Sequence, residues 1–280
     1  MNKKVPEYRI TKISDQGTSN PIVNRIGLQF SDILDRNLII LSEKRIENVK
    51  KYLFECMKDL LKAEESKNAY LAVENESIQK VMSKNGVQFQ PHAYSYEDPT
   101  EILKEHFEDF LIRCVIAIRK VVKIAGIIFL KPLDGPKGLK KYLKTVFSSS
   151  SPEIKMIEED SEWIKGLYDL RGKAEHDELE IEGFEVTISN DRKPIIKIPR
   201  LSRSGVAIRE YLEVTLDNCL TFCEDMTVIF LNTKCPEDVQ IVRVPEKLRQ
   251  QYRDFKYVLD LKREIKEKLF KDINKTENDA

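Results

Sequence analysis

No glycine or proline interrupts the chain between Ser31 and Lys84. Within that stretch Leu34, Leu38, Leu41, Ile46, Val49, Leu53, Met57, Leu60 and Leu61 recur at steps of three and four residues. The spacing predicts one long amphipathic helix, or two broken near 66–68, with a single apolar stripe that neighbouring elements must cover. A helix of that length needs other long helices as partners, and the composition supplies them. Gly (10) and Pro (11) are sparse among 280 residues, which argues against a many-turned β-sandwich. Hydrophobic residues at 41% suffice for a core, so the chain is expected to be an all-α domain rather than a disordered one.

Further helices announce themselves by their starts. Asp98-Pro99-Thr100-Glu101 has the layout of a capped N-terminus and opens a pattern running to about Leu130. A short basic helix is expected from Leu139 to Phe147. Ser151-Pro152-Glu153 repeats the start signal and leads into a helix ending near His176, and apolar spacing returns from about Val206 to Leu231. Between these, 184–188 and 194–198 read as a small β-hairpin with a polar tip. Residues 1–29 read as an extended or loop segment and 30–235 as the helical bundle, with long antiparallel helices and the hairpin inserted near 184–198. Residues 236–280 read as a charged tail, with a short extended piece at 239–244 followed by helix.

Charge and cysteine usage narrow the function classes. Lys+Arg (47) balance Asp+Glu (47), so the whole molecule has no standing attraction for nucleic acid or an anionic membrane, and any such patch is local. The longest apolar stretch, Cys114 to Leu130, carries Arg119, Lys120 and Lys123 and is too short and too charged to span a bilayer. The basic start has no apolar run behind it, so no secretory signal is read. Cys56, Cys114, Cys219, Cys223 and Cys235 form no CxxC pair and read as reduced thiols of a cytoplasmic protein. No glycine-rich phosphate loop, Gly-x-Ser-x-Gly elbow, dinucleotide fingerprint or zinc-spaced Cys/His set occurs. His92 and His106 read as structural, and Glu158, Glu159 and Asp160 as a solvated run near a helix start. No metal and no cofactor are expected.

His176 stands apart, because Arg171 precedes it by five residues on the same helix. Arg171-Gly172-Lys173-Ala174-Glu175-His176, with the helical layout from about 30 to 235, resembles the HEPN superfamily, whose motif is Arg, four to six residues, then His in a small helical bundle. The sequence departs from the family where Gly172 stands, since many members have Asn, Asp or His directly after the Arg. The resemblance implies a metal-independent endoribonuclease acting on single-stranded RNA, with Arg171 and His176 as catalytic residues meeting their copies across a homodimer. It also implies a role similar to a toxin or antiviral defence effector held by an antitoxin or regulatory protein. The residue types suit that chemistry. Imidazole moves protons near neutral pH, and guanidinium grips phosphate oxygens as charge builds. At about 100° per residue, the two side chains lie roughly 140° apart around an ideal helix and do not share a face.

The segment from Glu153 to Glu182 is acidic, whereas Arg113 to Lys144 holds nine basic residues and one acidic, Asp134. Arg113, Lys120, Lys140, Lys141, Lys144 and Lys173 are therefore the candidate RNA-binding cations. Two readings from other classes remain open. One is a non-catalytic HEPN-like dimeric scaffold binding nucleotide, RNA or protein, in which Arg171 is held by Glu175 at i+4 and His176 sits at a helix end. The other is an interaction protein working through its charged tail.

Overall fold

The computed structural model describes residues 16–83, 86–91 and 93–267. The chain is of the all-α class, and its centre is a long antiparallel helix pair. α2 (Glu43–Met82) is one unbroken helix of 40 residues, about 60 Å at 1.5 Å per residue. No break occurs near Ser66, whose Oγ lies 2.6 Å from Asp109 Oδ2 and 3.0 Å from the Lys62 carbonyl. α3 (Thr100–Phe129) runs the other way. Arg45 donates to the carbonyls of Ile127 and Ile128, Glu55 pairs with Lys120, Asp59 with Arg113, and Ser66 with Asp109, so α3 descends as α2 rises. At the start of α3, Asp98 Oδ1 accepts the Thr100 N–H at 3.0 Å, while Pro99 occupies the cap itself.

α6 (Ile208–Asn232) lies parallel to α3, stitched by the aromatic pairs Phe107–Tyr211 and Phe129–Phe230 with centroids 5.8 and 5.7 Å apart. α4 (Gly135–Val146) buries Leu139 and Leu143. α5 (Pro152–Glu175) begins as its sequence requires, with Ser151 Oγ accepting the Ile154 N–H and Pro152 in the first turn. Its Ile154, Ile157, Ile164 and Leu167 join the core. Cys56, Cys114, Cys219 and Cys223 are buried there as free thiols, and burial pushes those of Cys219 and Cys223 well up.

The reading of 1–29 as extended is corrected from residue 21 onward; 1–15 lie outside the described residues. Asn20 Oδ1 accepts the N–H groups of Ile22 and Val23, at 2.8 and 3.4 Å, and Pro21 takes a first-turn place that needs no donor. A π-helical stretch, Val23–Leu28, then runs into α1 (Gln29–Asp35). Ile22, Ile26, Phe30, Ile33 and Leu34 are buried in the main core. Gly27 lets this segment approach α2 closely, since a Cβ there would meet Met57 Sδ at 2.7 Å.

The strands form four two-stranded antiparallel pairs among the described residues. β1 (Gln88–Phe89) pairs with β2 (Tyr94–Ser95), and β3 (Ile181–Glu182) with β6 (Arg200–Leu201). The expected hairpin is β4 (Glu185–Ile188) on β5 (Pro194–Lys197), in register Glu185 to Lys197. Phe184 and Val186 pack with Val81 and Val87 into a small second cluster at the far end of α2. The tail is also corrected. β7 (Val239–Arg243) falls where an extended piece was expected, but a 3₁₀ turn (Glu246–Tyr252) and β8 (Tyr257–Leu261) take up the first part of the expected charged helix, which begins only at residue 263 and runs to 267, the last described residue. Arg253 and Asp254 both adopt positive φ, 56° and 61°, which stops a helix, and Tyr257-Val258-Leu259 favours a strand. Residues 268–280 of the tail lie outside the described residues.

One buried polar network ties the two ends of the fold together. Glu224 on α6 has no solvent exposure and accepts from Arg25 Nε (2.8 Å), Gln29 Nε2 (3.0 Å) and Lys256 Nζ (3.2 Å). The Gln29 side-chain oxygen accepts the Tyr257 N–H of β8 at 2.9 Å. Among the described residues no helix is long and apolar enough to cross a membrane.

Candidate functional site

The end of α5 decides where His176 stands. His176 is the C-cap, and Asp177 follows in the left-handed region at φ 56°. The Glu178 N–H reaches the Lys173 carbonyl (2.8 Å) and the Asp177 N–H the Ala174 carbonyl (3.4 Å), the two bonds of a Schellman ending with Asp in the usual glycine place. Leu179 is buried just beyond. These bonds fix the backbone of His176 and leave its imidazole exposed.

His176 lines a groove of about 940 Å³ between the C-terminal half of α5, the β6 turn and the start of α6. Its walls include Trp163, Tyr168, Lys173, Arg203, Glu210 and Tyr211. Gly172 also faces it, and a Cβ there would meet nothing within 4 Å, so packing does not demand glycine at that position. Arg171 does not line the groove. Its guanidinium forms an ion pair with Glu175, and its Nε is buried without a hydrogen-bond partner among the described residues. The divergence expected from helical geometry is therefore observed: the chain does not bring its own Arg171 and His176 into one cleft.

Arg171 lies near Tyr168, at the edge of the groove, and Tyr168 in turn meets Arg119 of α3. The Arg119 guanidinium carbon lies 5.6 Å from the Tyr168 ring centroid. The Tyr168 hydroxyl is buried and has no hydrogen-bond partner among the described residues. Burial raises its pKa, and the Arg119 and Arg171 guanidiniums pull the other way.

Of the six candidate RNA-binding cations, the structure brings only Lys173 to the groove of His176. Arg113 lies 3.6 Å from both Asp59 and Asp109, and Lys120 is paired with Glu55, so both serve the seam between α2 and α3. Lys144 is bonded to Glu158 at 2.6 Å, and Lys140 lies near the same carboxylate. Lys141 is exposed and makes no ion pair with any described residue. Sequence gives the sign of the charges on Arg113, Lys120 and Lys144 but not the neighbouring helix whose carboxylates pair with them.

The remaining titratable residues are dispersed. Asp160 accepts the Trp163 indole N–H at 2.7 Å, while Glu158 turns to Lys144. Among the described residues no three His, Cys, Asp or Glu side chains converge as a metal site. His106 is half-buried on α3, and His92 lies outside the described residues. Sequence reasoning passed over Tyr168 and Arg119. The spacing of Tyr168, one turn before Arg171 on α5, was the available signal. No protein-family model, no curated protein and no solved structure matches the chain.

Proposed function

We propose that this chain is a HEPN-like, metal-independent endoribonuclease of single-stranded RNA, active as a two-fold dimer in the cytoplasm. The observation that carries the reading is the pairing of an exposed, backbone-fixed His176 on an open groove with an Arg171 that the same protomer turns away from it. A second copy supplies what one protomer lacks, because a two-fold axis near the end of α5 brings two arginines and two histidines together. In the reaction the ribose 2′-oxygen attacks the adjacent phosphorus and the P–O5′ bond breaks, leaving a cyclic phosphate and a 5′-hydroxyl. One imidazole takes the 2′ proton and the other delivers a proton to the leaving oxygen. Arg171 exchanges Glu175 for the phosphate oxygens as charge develops, and the half-exposed ion pair it gives up is weak. The physiological role fitting such an activity is a toxin or antiviral defence effector restrained by an antitoxin or regulatory protein.

The Arg171–Glu175 pair also favours a second reading, a dimeric HEPN-like scaffold that binds nucleotide, RNA or protein without cutting. Cleavage of a fluorescent single-stranded RNA in EDTA, by wild type and by His176→Ala from matched preparations, separates the two. The nuclease reading expects cleavage that the substitution abolishes. Equal behaviour of two folded proteins leaves the scaffold.

A further inference from the structure

The exposed side of α3 carries a strip of cations that begins at the candidate site and leads away from it. Arg119 and Lys123 are four residues apart and so lie on one stripe, about 6 Å apart along the axis, with Lys120 beside them. At one end Arg119 sits over the ring of Tyr168, next to Arg171. At the other, three ammonium groups surround a single ring: Lys123, Lys120 and Lys51 stand 5.5, 5.8 and 6.0 Å from the centroid of Tyr52 on α2. Beyond Tyr52 the surface opens into a shallow concavity of about 530 Å³ lined by Lys123, Ile127, Leu130 and Lys131, with Leu130 70% exposed.

Acidic partners offset only part of this charge. Lys120 is paired with Glu55, whose carboxylate also lies near Lys51 and Lys123; Arg171 is paired with Glu175, and Asp59 lies near Lys120. Arg119, Lys123, Lys51 and Lys131 make no ion pair with any described residue, and all four are exposed. Three ammonium groups around one ring outnumber the single Glu55 carboxylate near them, so like-charge repulsion remains in the isolated chain. An incoming polyanion removes that repulsion. Two tyrosine rings separated by cations in excess over the acidic groups near them, with an apolar hollow at the far end, match a strand whose phosphates alternate with flat bases.

We infer that the strip Tyr168–Arg119–Lys123–Tyr52–Lys51 on the face of α3 is a docking track for single-stranded RNA, delivering the strand to Arg171. This inference rests on the ribonuclease reading only for its direction. The track itself is tested by binding of a fluorescein-labelled 2′-O-methyl oligouridylate, which keeps phosphates and bases but cannot be cut. Fluorescence anisotropy compares wild type with Lys123→Glu, Lys51→Glu and Tyr52→Ala. Lys193→Glu, at the tip of the β4–β5 turn, controls for charge alone.

Removing one stacking platform costs about 1–3 kcal/mol per base, so Tyr52→Ala is expected to weaken binding roughly 5- to 150-fold. Each charge reversal on the track is expected to weaken it about tenfold or more and to flatten the dependence on salt. Lys193→Glu is expected to remain within about twofold of wild type. Track variants that are folded by circular dichroism yet bind no worse than Lys193→Glu overturn the inference, as does absence of binding by wild type at low salt. Cleavage is scored separately. Track-dependent binding without cleavage of unmodified RNA keeps the track and sinks the nuclease, and cleavage with no effect of the track variants on binding or KM does the reverse.

Discussion

Glu224→Ala should be among the most damaging single substitutions in this chain. The carboxylate is fully buried and engages Arg25, Gln29 and Lys256, whose cationic members are 19% and 11% exposed. Truncation removes the one anion shared by these groups and leaves an arginine and a lysine facing a cavity. Breaking a buried pair in this way costs about 3–5 kcal/mol, chiefly because the stranded charges have lost both water and partner. Asp225 limits the damage, since it still accepts from Lys256 Nζ at 2.8 Å. Arg25 has no such fallback beyond Thr221 Oγ1 at 3.3 Å. At about 2–4 °C per kcal/mol for chains of this order of size, the melting temperature should fall by about 6–20 °C. Urea unfolding followed by the fluorescence of Trp163, the only tryptophan, reads the loss directly. Glu224→Gln, which keeps an acceptor without its charge, should fall between wild type and Glu224→Ala. A loss under about 1 kcal/mol for Glu224→Ala would refute the reasoning, because it would mean that water or relaxation already satisfies these cations.

Two further predictions concern titration and thiol chemistry. Burial raises the pKa of Asp160 despite the indole N–H it accepts, so the folded chain holds that proton to higher pH than the unfolded chain. Its ionisation therefore erodes stability as pH rises from the ordinary aspartate value to the raised folded one, and that loss persists above it. Asp160→Asn, which keeps an acceptor for Trp163, should flatten this part of the profile and leave stability at pH 7 equal to or above wild type; urea midpoints from pH 4 to 8 decide, and a marked loss at neutral pH contradicts it. Native protein should react slowly or not at all with a thiol reagent at pH 8, since four cysteines are buried and burial pushes the Cys235 thiol up to about 11. All five should react once the chain is unfolded, and rapid labelling of the native state counts against this packing.

Much of the helical layout was legible because its signals are local. Ser151-Pro152 states a helix start in two residues, and the hydroxyl performs the expected capping bond. The same signal stands in Asn20-Pro21, where Gly27 and the surrounding polar residues obscured it; the π-turn that follows depends on close approach to Met57, a contact 30 residues away that no local pattern encodes. In the tail, charge density suggested helix, and helix does stand at 263–267, but strand pairing between Val239–Arg243 and Tyr257–Leu261 prevailed before it. Within the candidate site, the angular separation of Arg171 and His176 followed from helix periodicity alone. The allegiance of Arg113 and Lys120 to α2 did not, because periodicity identifies a helix face without saying what covers it.

The bond between Gln29 and Tyr257 joins residues 228 apart in the chain. A ribosome adding about 5–20 residues per second needs roughly 10–50 s to bridge that interval. Throughout it the amino-terminal helix exists while Glu224, Lys256 and the β8 backbone that satisfy its polar groups have yet to be made or have yet to leave the exit tunnel. Its apolar side, Ile22, Ile26, Phe30 and Ile33, can settle on α2 early, but its polar side must wait for the last strand. Each nascent chain thus passes through a period in which a nearly complete bundle lacks its closing contact and presents an unsatisfied, partly apolar seam to the chaperones of the cell.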